Sequence, residues 1–248
     1  MTADIWAPLT EELDRWQADG KVAQFWLRDD DAVDPTPALS RLLEISARHA
    51  APVTLAVIPA HSGQVLADFL ADTSLVSVAV HGWSHANHAG EGEKKQELGA
   101  HRPVATVAAE LEAGFEKLRF LHAGRFAAML VPPWNRIAAP LAAELPALGF
   151  DALSVFGAEK ASPIRLINTH VDLMDWHGTR GARDYQALVS DMIARLREMS
   201  DTGGVMGFLT HHLVHDERGW RFIEELLERT ARHPGCRWAY LPEMLARN

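Results

Sequence analysis

Residues 24–37 read QFWLRDDDAVDPTP, and the fold turns on how this stretch divides. The apolar run QFWL breaks into Arg28 and three acids, Asp29, Asp30 and Asp31, the pattern of a buried strand whose far end carries ionisable groups. A Thr-Pro pair follows, and TPALSRLLEISARHA (36–50) has helical periodicity with Pro37 near its first turn. Strand, polar end, then helix is one βα unit.

Working outward, the same unit recurs. Strand candidates are VTLAVIP (53–59), LVSVAVHG (75–82), AAMLVPPWN (127–135), ALSVFG (152–157), IRLINTH (164–170), VMGFLTHH (205–212) and a short run at 237–241. Helical periodicity falls between them at 62–72, 104–122, 138–149, 184–200 and 220–233, with Pro146 expected to distort or end its helix. Between Ala86 and Pro103 the periodicity disappears and Gly, Glu, Lys and His dominate, which predicts a long solvent-facing loop able to cover a site.

A closed parallel barrel and an open doubly wound sheet give the same alternation, because both bury the two faces of their strands. Here the reactive residues follow the ends of several strands spread over the chain, rather than clustering at one switch point, and this favours a barrel. The expected fold is α/β, a distorted (β/α) barrel with seven or eight parallel strands. Residues 1–248 are expected to form a single catalytic domain with a loop insertion near 86–103.

The bulk properties remove several classes. The 248 residues are 48% hydrophobic, enough for one large core. A net charge of -9, from 24 basic and 33 acidic residues with no long basic run, argues against nucleic acid as a partner. One cysteine, Cys236, excludes an intrachain disulfide and any multi-cysteine metal site. MTADIWAPLTEELDRW does not resemble a secretory signal, and no stretch approaches the roughly 20 apolar residues of a membrane helix, so a cytoplasmic protein without a membrane partner is expected.

The chemistry-bearing groups sit at the strand ends. Three adjacent carboxylates repel unless a cation or donors compensate them, although a loop of acids facing water gives the same sequence. His81 and His85 are spaced i and i+4, which on a helix would put both rings on one face, with His88 a turn further on. Two imidazoles and a carboxylate are a common zinc set. Pro132 and Pro133 cannot donate to a ladder, so VPPWN is expected to turn over a pocket with Trp134 as a wall. HVDLMDW (170–176) and FLTHH (208–212) again end strands in ionisable groups.

Taken together, these residues resemble the polysaccharide deacetylase family, the NodB-homology group of carbohydrate esterases, over nearly the whole chain. Asp30, Asp31, Thr36 and Pro37 match its paired aspartates and Thr-Pro, which makes Asp29 an extra acid. His81, Gly82, Trp83, Ser84 and His85 match its His-Ser/Gly-x-x-His motif. Asp172, Asp175 and Trp176 match Asp-x-x-Asp-Trp, and Leu209, Thr210 and His211 match Leu-x-His with His212 adjacent. The family's Arg-Pro-Pro-aromatic motif appears as Val131, Pro132, Pro133 and Trp134, without the arginine that orients the catalytic aspartate in relatives. Arg28 stands beside the acids as a substitute from another direction.

The resemblance implies a metal-dependent hydrolase that removes an acetyl group from an N-acetylated sugar or related small acylated molecule. Asp31, His81 and His85 would hold a divalent metal, zinc being the expected ion, and a metal-activated water would be the nucleophile. Asp30 would be the general base and His211 the general acid, held by Asp172 or Asp175, with Arg28 beside the base. Pro133, Trp134, Trp176 and His212 would contact substrate, the backbone N–H of Trp134 facing the oxyanion. Two alternatives stand beside this: a noncatalytic carbohydrate-binding protein on the same barrel, and a hydrolase of a noncarbohydrate amide.

Overall fold

In the computed structural model, which describes residues 4–246, the QFWLRDDDA stretch is strand β1 (Ala23–Ala32) at the centre of a curled sheet. Seven more parallel strands follow: β2 (Val53–Val57), β3 (Val76–His81), β4 (Phe126–Val131), β5 (Ala152–Leu153), β6 (Arg165–Leu166), β7 (Val171–Asp172) and β8 (Met206–Thr210). Their spatial order is β6-β5-β4-β3-β2-β1-β8-β7, and a ninth, β9 (Cys236–Trp238), pairs with the first residues of β1. This is the distorted (β/α) barrel expected from the sequence.

The helices are α1 (Ala7–Ala18), α2 (Pro37–His49), α3 (Gln64–Leu70), α4 (Val104–Leu121), α5 (Ala139–Glu144), α6 (Tyr185–Met199), α7 (Glu217–Thr230) and α8 (Leu241–Leu245). Their starts follow from local chemistry. Thr36 Oγ1 accepts the Leu39 N–H at 3.0 Å with Pro37 in the first turn, and Asp184 and Asp216 cap α6 and α7 in the same way. Helix α5 ends before Pro146, as its ring requires.

Alternation along β1 divides the interior in two. Phe25 and Leu27 face the helices and join the large apolar cluster, which also takes Val53, Leu55, Val78 and Val80 from the neighbouring strands. Trp26 points into the barrel with Ala56, Ala79, Ala127 and Met129, and Leu241 and Met244 of α8 close that space from below. The small alanines make room for the indole. Its Nε1 donates to Thr54 Oγ1 at 2.9 Å, and Thr54 pairs with Ser77 at 2.9 Å, so the polar groups inside the floor are satisfied by one another.

Three sequence expectations change. ALSVFG and IRLINTH form only two-residue strands, because the chain leaves regular pairing where the barrel closes. There His170 donates to the Gly207 carbonyl at 2.7 Å and Thr169 to that of Val155 at 3.1 Å. Gly207 has no alternative here: a Cβ would lie 2.2 Å from the Asn168 carbonyl oxygen. The N-terminal segment with Trp6 and Trp16 is a helix covering the core, with Trp6 packed on Phe222 at 5.0 Å. Residues 86–103 are only partly solvent-facing, since Glu97, Leu98 and Gly99 are buried and Leu98 bridges to Ile137. The short run at 237–241 divides between β9 and the start of α8. No described helix is long and apolar enough to cross a membrane.

Candidate metal centre and active site

The three consecutive aspartates have three different surroundings, and strand geometry explains it. Asp29 has the parity of Phe25 and Leu27 and points outward, where it is fully buried. Asp30 has the parity of Trp26 and Arg28 and points into the barrel. Asp31 should turn outward again, but its φ of 74° and an irregularity in the β1–β2 register between Asp29 and Ala32 swing it to the barrel mouth. Such a φ is costly for a residue with a Cβ, though less so for Asp than for most.

At the mouth, Asp31 meets the histidines. His81 Nε2 lies 3.1 Å and His85 Nε2 3.3 Å from Asp31 Oδ1, and the three potential ligand atoms fall within 4.8 Å of one another. Ligands about 2.0–2.2 Å from a tetrahedral ion lie roughly 3.3 Å apart. His81 Nδ1 is 2.9 Å from the Val131 carbonyl, which can only accept, so Nδ1 carries a proton and the neutral ring turns its Nε2 lone pair toward the carboxylate. A lone pair facing a carboxylate needs a proton or a cation between them. Accordingly, although burial disfavours the charged ring, Asp31 and Asp30 together raise the His81 pKa. Burial, followed by repulsion from His81, lowers that of His85. Burial alone would raise the Asp31 pKa, but the hydrogen bond and charge of His81 hold it well below the usual carboxylate range. The donor set fits a divalent metal.

The sequence suggested that a helix would align the two histidines; a loop does so instead. Gly82 and His85 both have positive φ, and Glu97 from the 86–103 loop accepts from the backbone N–H groups of Trp83 at 3.2 Å and Ser84 at 2.7 Å. His88 lies outside the ligand group, its backbone N–H bonded to Gln96. Glu97 is therefore a structural support of the centre that the sequence reading missed.

Asp30 is held from its own strand. Arg28, two residues earlier on the same face of β1 and fully buried, places Nε 2.9 Å from Asp30 Oδ1 and Nη2 3.0 Å from Oδ2. Its remaining donors reach Ser154 Oγ at 2.7 Å and Asn135 Oδ1 at 2.8 Å. Val131 is buried in the barrel, and its carbonyl meets His81 Nδ1. Asn135 and Ser154 were also missed; neither residue type nor spacing marks them.

Across the mouth, His211 Nε2 lies 4.0 Å from Asp30 Oδ2. Trp176 stands edge-on to the His211 ring at 4.7 Å, and its Nε1 donates to Asp172 Oδ2 at 2.8 Å. Burial raises the Asp172 pKa against the opposing charge of His211. Asp175 is elsewhere: its carboxylate accepts from the backbone of Gly178 and Thr179 and shapes an exposed turn, so Asp172 is the acid that acts on His211. Trp134, at φ 54°, lies 4.3 Å from the His85 ring and forms the other wall, while Pro133 is buried against Gly82.

His212 is not in the cleft. It is buried on the outer side of β1, where Nδ1 sits 2.5 Å from Asp29 Oδ1 and its backbone N–H bonds Asp29 Oδ2 at 3.0 Å. Successive residues at the end of β8 point to opposite sides, so only one of the adjacent histidines can face the mouth, and that one is His211.

This fold is that of the polysaccharide deacetylases, or family 4 carbohydrate esterases, as comparison with solved structures shows. A Mycobacterium smegmatis protein provisionally described as a polysaccharide deacetylase superposes with a TM-score of 0.68 at 17% identity, over 92% of this chain and 90% of that one. A family 4 carbohydrate esterase from Streptomyces lividans in complex with acetate gives 0.57 at 16% identity, over 86% and 90%. The peptidoglycan deacetylase PdaC from Bacillus subtilis gives 0.55 at 15%, over 92% of each chain. No protein-family model matches the sequence and no curated protein matches it significantly.

Proposed function

We propose that the protein is a metal-dependent deacetylase acting on N-acetylated sugars. The observation that carries this reading is the Asp31, His81 and His85 ligand group beside an Asp30 fixed by Arg28, with His211 4.0 Å from that carboxylate. The shared fold with a carbohydrate esterase bound to acetate and with a peptidoglycan deacetylase supports the acyl-sugar substrate class. Two imidazoles and one carboxylate favour zinc among the divalent ions.

Asp31, His81 and His85 would hold a divalent ion, which when bound would supply Lewis acidity to the water and the acyl carbonyl. Asp30 accepts the proton of the attacking water, its carboxylate held by the Arg28 Nη2 hydrogen bond and by the ion-pair contact with Nε. The backbone N–H of Trp134, at a turn of positive φ, donates to the developing oxyanion. His211, set by Trp176 and facing the charge of Asp172, delivers a proton to the departing nitrogen as the carbon–nitrogen bond breaks. The two indoles flank the acyl group and exclude water from one side each.

The test is to strip the purified protein, reload it with zinc, and assay N-acetyl chito-oligosaccharides, O-acetyl xylan and simple N-acyl amines for acetate release. Deacetylation of the first, lost on metal removal and in Asp30→Asn while metal content is retained, is the expected result. Metal binding with no acetate released from any of the three overturns the enzymatic reading in favour of a binding protein.

A further inference from the structure

The third aspartate, Asp29, has no part in the chemistry above, yet its carboxylate is fully buried and entirely committed. Oδ2 accepts from Thr210 Oγ1 at 2.7 Å and from the His212 N–H at 3.0 Å, and Oδ1 meets His212 Nδ1 at 2.5 Å. These contacts fall on the residues immediately before and after His211. The backbone of His211 is itself pinned: its N–H donates to His215 Nε2 at 3.1 Å and its carbonyl accepts from Val214 at 3.0 Å.

From this geometry we infer that Asp29 is a positioning residue for His211, fixing through Thr210 and His212 the distance between that imidazole and Asp30. The inference rests on the deacetylase reading for its effect on turnover, but the placement itself is a property of the chain. β1 and β8 pair in register, Asp29 opposite Thr210. Consecutive residues of β1 thus serve the two sides of one gap: Asp30 lies across it from the His211 ring, and Asp29 holds the strand end that carries that ring. The 4.0 Å separation joins groups on two strands, and His211 sits where β8 gives way to the following turn. A misplacement near 1 Å in such a site costs roughly 100-fold in rate.

His212→Leu removes the ring donor to Asp29, and His212→Asn restores a donor at the Nδ1 position. In the zinc-loaded protein, Asp29→Asn and His212→Leu are expected to lower kcat roughly 10- to 100-fold with KM and zinc content held, and His212→Asn to recover most of the loss. The second readout needs neither metal nor turnover: the nuclear Overhauser contact between the His211 and Trp176 rings in the metal-free protein, strong in the parent and weakened in His212→Leu. If Asp29→Asn or His212→Leu lowers thermal stability but leaves the ring contact and kcat unchanged, the pair is structural only and the inference is overturned. If the parent releases no acetate, the deacetylase reading fails, and the ring contact alone then supports or overturns the placement. Should Asp29→Asn not fold, the two His212 variants decide.

Discussion

The guanidinium of Arg28 reaches both carboxylate oxygens of Asp30 from two residues earlier on the same strand. Side chains at i and i+2 share a face of a strand, so the pair is built locally and needs no distant element to bring it together. Ser154 and Asn135 then use the remaining donors, leaving the cation in one orientation. The cation beside Asp30 thus comes from the same strand as Asp30 itself.

Arg28→Lys is expected to retain the charge but lose the fork that joins Asp30 to Ser154 and Asn135, lowering kcat about 100-fold. Arg28→Leu leaves Asp30 buried without a partner and should cost about 3–5 kcal/mol of stability. The double variant Arg28→Leu/Asp30→Asn should recover much of that stability while staying inactive. Urea unfolding of the three proteins checks the order, and an Arg28→Leu protein as stable as the parent would remove the ion pair from the account.

Gly82 should not accept a side chain. At φ +59° a Cβ would lie 2.1 Å from Glu97 Oε2 and 2.7 Å from Pro133 Cδ, so Gly82→Ala displaces the carboxylate that holds the Trp83 and Ser84 amides. Zinc titration should show weakened binding together with lower thermal stability. Gly20→Ala is the control, since Gly20 has a φ of +69° with nothing within 4 Å. It should lose only about 1–2 kcal/mol from backbone strain and bind zinc normally.

His122, at the end of α4, gives the stability a pH dependence independent of the mouth. Its ring is 3% exposed with neither nitrogen partnered, and burial, helped by the charge of Arg125, pushes its pKa down to about 4. The unfolded chain titrates near 6.5, so between the two values it binds more protons than the folded one. Stability from this group is complete above pH 6.5 and is lost as the pH falls toward 4. The loss of unfolding free energy between pH 7 and 5 should be smaller in His122→Gln than in the parent; parallel curves would show that His122 charges freely in the fold.

The order of strands and helices was legible because apolar runs, proline positions and capping residues are local signals. Thr36 followed by Pro37 marks the start of α2, and Pro146 limits α5. The ligand residues were legible too, as chemically distinctive side chains at strand ends. What escaped was anything set by backbone conformation or by contacts across the fold. The positive φ of Asp31 and His85, the grip of Glu97 on the Trp83–Ser84 backbone, and the separate faces taken by His211 and His212 all depend on the three-dimensional path of the chain. Asn135 and Ser154 are ordinary residues until Arg28 lies between them.

The division of β1 among Asp29, Asp30 and Asp31 has an evolutionary consequence. Removing any one of the three codons produces the same polypeptide, so natural selection cannot discard one carboxylate and choose which to keep. Counted from Phe25, Trp26 and Leu27, the two survivors take the helix-facing and barrel-facing places, and Ala32 moves into the place of Asp31. A contraction anywhere in the triplet therefore removes the carboxylate that faces His81 and His85 and keeps the two that face His212 and Arg28.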